Sequence, residues 1–153
     1  MSETASPVPV ELRQQADYRF EVRFDGAQVP ALITDEPPPL GGGAGPNPER
    51  VLAVAVANCL TSSLLFAMRK FKNDPGPLRT TARVRTHRND DNRLRIAGID
   101  VDLHLGVETA SLAMLPRILD QFESFCVVTQ SVREAFPVQV RVLALDGTLL
   151  KGG

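Results

Sequence analysis

Hydrophobic and polar residues alternate through the first part of the chain. Phe20, Val22 and Phe24 are interleaved with Arg19, Glu21, Arg23 and Asp25, and Val10 and Leu12 precede them at the same spacing. A period of two sends alternate residues to opposite faces of a strand, so Val8 to Thr34 predicts an antiparallel meander. Asp25-Gly26 is its hairpin turn signal and Val29 to Thr34 its return strand. Pro30 lacks an amide donor, which places the start of that strand at an edge or a bulge. The alternation stops at Asp35. From there to Pro46 the sequence DEPPPLGGGAGP holds four prolines and four glycines, which predicts a shaped loop with no regular element through it. Asn47-Pro48-Glu49 then predicts a helix start: Asn47 can cap, Pro48 suits the first helical position, and Glu49 complements the positive end of the helix dipole.

That helix is predicted to run to about Lys72, where Asn73, Asp74, Pro75 and Gly76 stop it. Its apolar residues go all round between Val51 and Ala57. This half must therefore be covered on every side, at the centre of the fold or in an oligomer interface. Two strands follow, Leu78 to Thr86 and Leu94 to Leu105, joined by the polar turn His87 to Arg93, with an irregularity at Gly98. Thr109 or Ser111 is placed to cap a second helix whose stripe is Leu112, Leu115, Ile118 or Leu119, Phe122 and Phe125. Cys126 to Ala135 reads as a short separate helix and Pro137 to Leu145 as a final strand. The fold class expected is α+β, with two antiparallel or mixed sheets around two central helices. Residues 1–9 read as a flexible tail and 10–153 as a single domain.

Length and composition narrow the function. A chain of 153 residues, 43% apolar and 23% charged, has the size and balance of one soluble domain. A net charge of -1 supplies no global field toward nucleic acid or an anionic membrane, so neither is expected as a partner. Val51 to Met68 carries no charge and is long enough to span a bilayer. Asn58, Thr61, Ser62 and Ser63 lie in its middle, and the alternating segments on either side need something to pack on, which argues for a core helix. Met1 to Pro9 lacks the charged-then-apolar order of a secretory signal, which points to the cytoplasm. His87 and His104 stand apart from any ligand-spaced cysteine or carboxylate, so no metal is expected. The glycines of the loop lead to a helix but no P-loop lysine follows, and no cofactor is expected. Arg79, Arg83, Arg85, Arg88, Arg93 and Arg95 read as a solvated strand and turn face.

Two cysteines remain. Cys59 falls on the apolar helix and Cys126 at a helix boundary, and by themselves they read equally well as two small buried hydrophobes. Their surroundings carry more. The segment DEPPPLGGGAGPNPERVLAVAVANC, Asp35 to Cys59, resembles the osmotically inducible protein C and organic hydroperoxide resistance family (OsmC and Ohr), in which a Gly-rich loop leads through N-P-E into an Ala-rich helix bearing the first cysteine. FCVVTQSV, Phe125 to Val132, resembles the family's C-P-V-S-Q-x-L segment, with Val127 in place of proline and Thr129 in place of serine. The order of elements agrees from about Val10 to Leu145.

The resemblance implies a thiol peroxidase of OsmC-like fold. Cys59 would attack the peroxide and become a sulfenic acid, Cys126 would condense with it, and an external dithiol, in related enzymes a lipoylated protein, would reopen the disulfide. A thiolate at neutral pH requires a nearby cation. In Ohr-type members this is an early arginine held by the glutamate of N-P-E. Glu49 matches the glutamate, and Arg19 is the best match to the arginine, with Arg23 next on the same strand face. OsmC-type members take their arginine from just before N-P-E, where this chain has GGGAGP and no arginine.

Glu49 and Cys59 are ten residues apart on one helix, about 15 Å along its axis. Two antiparallel copies crossing at an interface would bring Glu49 of one chain toward Cys59 of the other, so an intertwined homodimer with shared sites is expected. Leu60, Phe66, Phe122 and Phe125 are the apolar residues expected to line a pocket for an organic hydroperoxide. The competing reading is a redox-sensitive stress or binding protein that keeps the cysteines without turnover.

Overall fold

The computed structural model of the chain describes residues 5–24 and 28–153. It forms two compact units, residues 1–51 and 52–153.

The first unit contains a three-stranded antiparallel sheet in the order β1 (Val10–Ala16), β2 (Arg19–Phe24), β3 (Leu32–Thr34). Leu12 pairs with Val22, which in turn pairs with Leu32. Asp17, at φ 47°, makes the tight link from β1 to β2, a conformation that Asp tolerates because its short side chain can bond locally. The expected Asp25-Gly26 turn lies outside the described residues. The return strand is shorter than expected, beginning at Leu32, beyond the Pro30 that cannot donate to the ladder. Val22 is buried, yet every residue of β1 is exposed, including Val10 at 50% and Leu12 at 57%.

Helix α1 (Pro48–Lys70) starts as the sequence predicts, with Asn47 accepting the Arg50 amide on its side chain and the Val51 amide on its carbonyl. Its end is set by Lys72 in the left-handed region, where the Asn73 amide reaches back to the Met68 carbonyl at 3.0 Å. Val56, Leu60, Ser63, Leu64, Ala67 and Met68 make a buried stripe at helical spacing. By length and composition α1 could cross a membrane. Here its stripe belongs to the core of the second unit.

That unit is built on a four-stranded sheet, β4 (Arg79–Arg88), β5 (Leu94–His104), β6 (Val138–Leu143) and β7 (Leu149–Lys151), in that order. The pairing of β4 with β5 is antiparallel and shifts register opposite Gly98, where the sequence marks an irregularity. The next pair makes this sheet mixed: β5 and β6 run parallel. The chain between them carries helices, the connection that parallel neighbours need. Strand β7, antiparallel to β6, was not expected. Ile99, Val101 and Leu103 of β5 and Val138, Val140 and Val142 of β6 face the same way and form the core with α1.

The second predicted helix is broken. Thr109–Ser111 is a 3-10 turn, Met114 takes φ 58°, and helix α2 spans only Leu115–Gln121. Pro116 has no amide to continue an earlier turn, which fixes the start. Neither Thr109 nor Ser111 caps, and the Ser111 hydroxyl bonds back to the Glu108 carbonyl. A 3-10 turn, Phe122–Phe125, leads to Cys126 and then to helix α3 (Val127–Val132).

Candidate active site

The two cysteines, far apart in sequence, meet inside the second unit. Cys59 lies on α1 beside the fully buried Leu60 and is itself half-buried, whereas Cys126 is fully buried. Both are free thiols, and Cys59 is near enough to Cys126 to influence its ionisation. On its other side Cys126 Sγ is 3.0 Å from Thr129 Oγ1.

Local structure holds Cys126 there. Its backbone is extended, φ -82° and ψ 97°, at the junction of the 3-10 turn and α3. Its amide donates to the Glu123 carbonyl, its carbonyl accepts the Gln130 amide, and the Gln130 side chain returns to the same Glu123 carbonyl at 3.0 Å. The Glu123 carboxylate binds Arg133 at 2.5 Å and Lys151 at 2.9 Å, and Arg133 also donates to the Val138 carbonyl at the start of β6. The segment bearing Cys126 is thereby tied to two strands of the sheet.

Burial pushes the Cys126 thiol above the ordinary cysteine range, and the neighbouring Cys59 pushes it further, with the Thr129 hydroxyl and amide opposing. Cys126 therefore keeps its proton at neutral pH.

The charged candidates lie in the first unit. Arg19, at the start of β2, has Nε 3.8 Å from Asp35 Oδ2. This distance is an ion pair without a hydrogen bond, and Arg19 Nε is buried with no hydrogen-bond partner. Asp35 was not singled out in the sequence, yet it organises the loop. Its Oδ1 accepts the Glu36 amide at 2.8 Å, and its Oδ2 accepts the amides of Gly42 and Ala44 at 3.2 and 3.1 Å. These bonds, led by that from Ala44, hold the Asp35 carboxyl below its usual range against the opposing effect of burial, and Arg19 adds to them. A Cβ on Gly41 would stand 2.4 Å from Asp35 Oδ1, so the cradle needs glycine there. The available signal was a carboxylate at the mouth of a loop whose amides have no ladder to join.

Within this unit the carboxylate facing Arg19 is thus Asp35 rather than Glu49. Glu49 is half-buried in the first turn of α1 and has no ion pair among the described residues. Arg23 is engaged by Glu21 at 2.6 Å.

The four expected pocket residues divide. Leu60 and Phe122 are fully buried core residues with no surface to offer, while Phe66 and Phe125 are exposed at 64% and 59%. A pocket of about 600 Å³ in the second unit contains none of them. It is lined by Arg83, Arg133, Arg141, Asp102 and Glu123 among others, and these charges pair with one another. Among the described residues no three His, Cys, Asp or Glu side chains gather in a way that could hold a metal.

Residues 41–141 match the model of the OsmC-like protein family, and the chain belongs to that family. Its fold is shared by solved structures of low sequence identity. An OsmC-like protein of unknown function from Vibrio cholerae superposes with a TM-score of 0.75 at 14% identity, covering 91% of this chain and 100% of that one. An organic hydroperoxide resistance protein OsmC from Legionella pneumophila gives 0.69 at 16% identity, over 92% and 98%. The organic hydroperoxide resistance protein OhrB of Bacillus subtilis gives 0.65 at 15% identity, over 90% and 98%. No curated protein sequence is significantly similar to this chain.

Proposed function

We propose that this protein is a cytoplasmic thiol-dependent peroxidase that reduces organic hydroperoxides. The observation that carries the reading is the adjacency of Cys59 and Cys126, with the fully buried member held protonated. In the proposed cycle the Cys59 thiolate attacks the outer peroxide oxygen, the O–O bond breaks, and the alcohol leaves with a proton. Cys59 is then a sulfenic acid. Cys126 attacks its sulfur, water departs, and a disulfide closes. A dithiol such as a lipoylated protein returns two electrons and two protons. Arg19 is proposed as the cation that keeps Cys59 ionised, with Glu49 assisting and Arg23 as the substitute.

A homodimer is proposed with it. Val54 and Phe66 on α1 are each 64% exposed, and β1 exposes Val10 and Leu12. A helix apolar all round its first half and a strand with no covered face both call for a second copy. Phe66 and Phe125 would then line the approach of an apolar hydroperoxide.

The competing reading, a redox-sensitive stress or binding protein without turnover, draws on one feature: Arg19 Nε makes no hydrogen bond. One assay separates the two. Reduced protein is mixed with cumene hydroperoxide and excess dithiothreitol, and peroxide loss is followed. Catalytic loss that falls to background in Cys59→Ser is expected. An inactive wild type would favour the binding reading, and an active Cys59→Ser would remove the assigned nucleophile. Sedimentation at micromolar concentration should show a dimer, and a stable monomer would count against the second copy.

A further inference from the structure

Resting on the peroxidase reading, we infer that the reducing dithiol attacks Cys59, that Cys126 is the leaving sulfur, and that Thr129 is the positioning residue that receives its negative charge. The first step follows from access. Cys126 is fully buried, whereas Cys59 retains exposed surface on α1, and an attacking thiolate must reach the sulfur it bonds. The thiolate of the dithiol forms a bond to Cys59 Sγ, the Cys59–Cys126 bond breaks, and its electron pair goes to Cys126 Sγ. The second thiol of the reductant, once ionised, attacks the new mixed disulfide and releases Cys59 as thiolate. The two protons of the dithiol are left for the two protein sulfurs, and the dithiol ends as a disulfide.

The leaving sulfur meets charge in a dry place. Cys126 belongs to the apolar core formed by Leu60, Ile118, Phe122 and their neighbours, where an unassisted thiolate is costly. Thr129 Oγ1 stands 3.0 Å from that sulfur, and Thr129 is itself fully buried. The Arg133 amide, donating to the Thr129 carbonyl at 3.0 Å, fixes the residue in place. In the dithiol state the Cys126 thiol donates to this oxygen. When Cys126 leaves as thiolate the hydroxyl rotates and donates back, and hydrogen bonds to ionised groups are the stronger kind. A leaving group of lower pKa leaves faster, so removing the donor slows the step.

The test closes the pair with diamide, which needs no peroxide, in wild type, Thr129→Val and Thr129→Ser, and follows reopening by dithiothreitol at several pH values. Thr129→Val keeps the shape without the hydroxyl and is expected to reopen about tenfold more slowly, equivalent to about 1.4 kcal/mol, while Thr129→Ser stays within about twofold of wild type. Thr129→Val reopening at the wild-type rate, or Thr129→Ser as slow as Thr129→Val, would overturn the role of Thr129. Independently of either variant, the wild-type disulfide is treated with 2-mercaptoethanol, quenched in acid and mapped. An adduct on Cys59 supports the assignment and one on Cys126 overturns it. A pair that diamide cannot close overturns both this inference and the peroxidase reading, whereas a closed pair indifferent to Thr129 overturns the inference alone.

Discussion

The two cysteines and the two arginines proposed to activate them sit in units of opposite character. Cys59 and Cys126 lie in or against a core in which Val56, Leu60, Ile99, Val101, Phe122 and Val142 are fully buried or nearly so. Arg19 and Arg23 lie on a three-stranded sheet with one well-buried apolar residue, Val22, and a first strand exposed along its length. A packed core, with the hydrogen bonds and ion pairs around Glu123, holds the two cysteines near one another. The position of Arg19 depends instead on hydrogen bonds within a loop, with Asp35 as their hub. The sulfur pair should therefore tolerate changes that the arginine does not.

Three substitutions bear on this comparison. The largest effect is expected from Gly45→Ala, since a Cβ there would stand 2.0 Å from the Ile33 carbonyl oxygen. Backbone cannot yield as a side-chain tip can, and a loss of about 2–3 kcal/mol is expected by chemical denaturation. An unchanged midpoint would show that the loop is not held as described.

In the second unit Asp102 accepts from Arg83 at 2.8 Å and from Arg141 at 2.7 and 2.8 Å, and its carboxyl is lowered to about 2 from the usual 3.8 by Arg141 first, with burial opposing. A folded value below the unfolded one means stability that is present above the unfolded value and lost as pH falls toward the folded one. Asp102→Asn should therefore cost roughly 1–2 kcal/mol at pH 7, with the half-exposed arginines screening part of the pair. It should also flatten the acid limb between 3.8 and about 2, where an unaltered limb would remove Asp102 from the account. The diamide-closed cysteine pair should still form in this variant.

The smallest and most selective effect is expected from Asp35→Asn, which retains one acceptor but introduces an NH2 group toward amides that need a carboxylate. Hydroperoxide consumption should fall several-fold, without loss of diamide-driven disulfide formation. A variant with normal turnover would separate Asp35 from the activation of Cys59.

Much of the fold was legible in the chain because it is set by local rules. The alternation of β2, the cap at Asn47, the helix stop expected at about Lys72 and the irregularity near Gly98 each follow from the residues at that point. What was not legible was non-local. Strand β7 is three residues long and carries too little pattern to announce itself, and the parallel pairing of β5 with β6 depends on how the intervening helices cross the sheet. Among the candidate residues, Leu60 and Phe122 are apolar in sequence whether they line a cavity or fill a core, and only packing shows that they fill it. Asp35 was hidden because its role is to satisfy amides seven and nine residues away.

The sequence by itself determined the elements, the helix that carries Cys59, the segment that carries Cys126 and the family to which they belong, because periodicity, caps and short motifs act over a few residues. The tertiary structure alone decided that the two cysteines are neighbours, that the deeper one retains its proton beside Thr129, and that Asp35 stands against Arg19. Each of these depends on burial and on distances between groups remote in the chain, which no local pattern encodes.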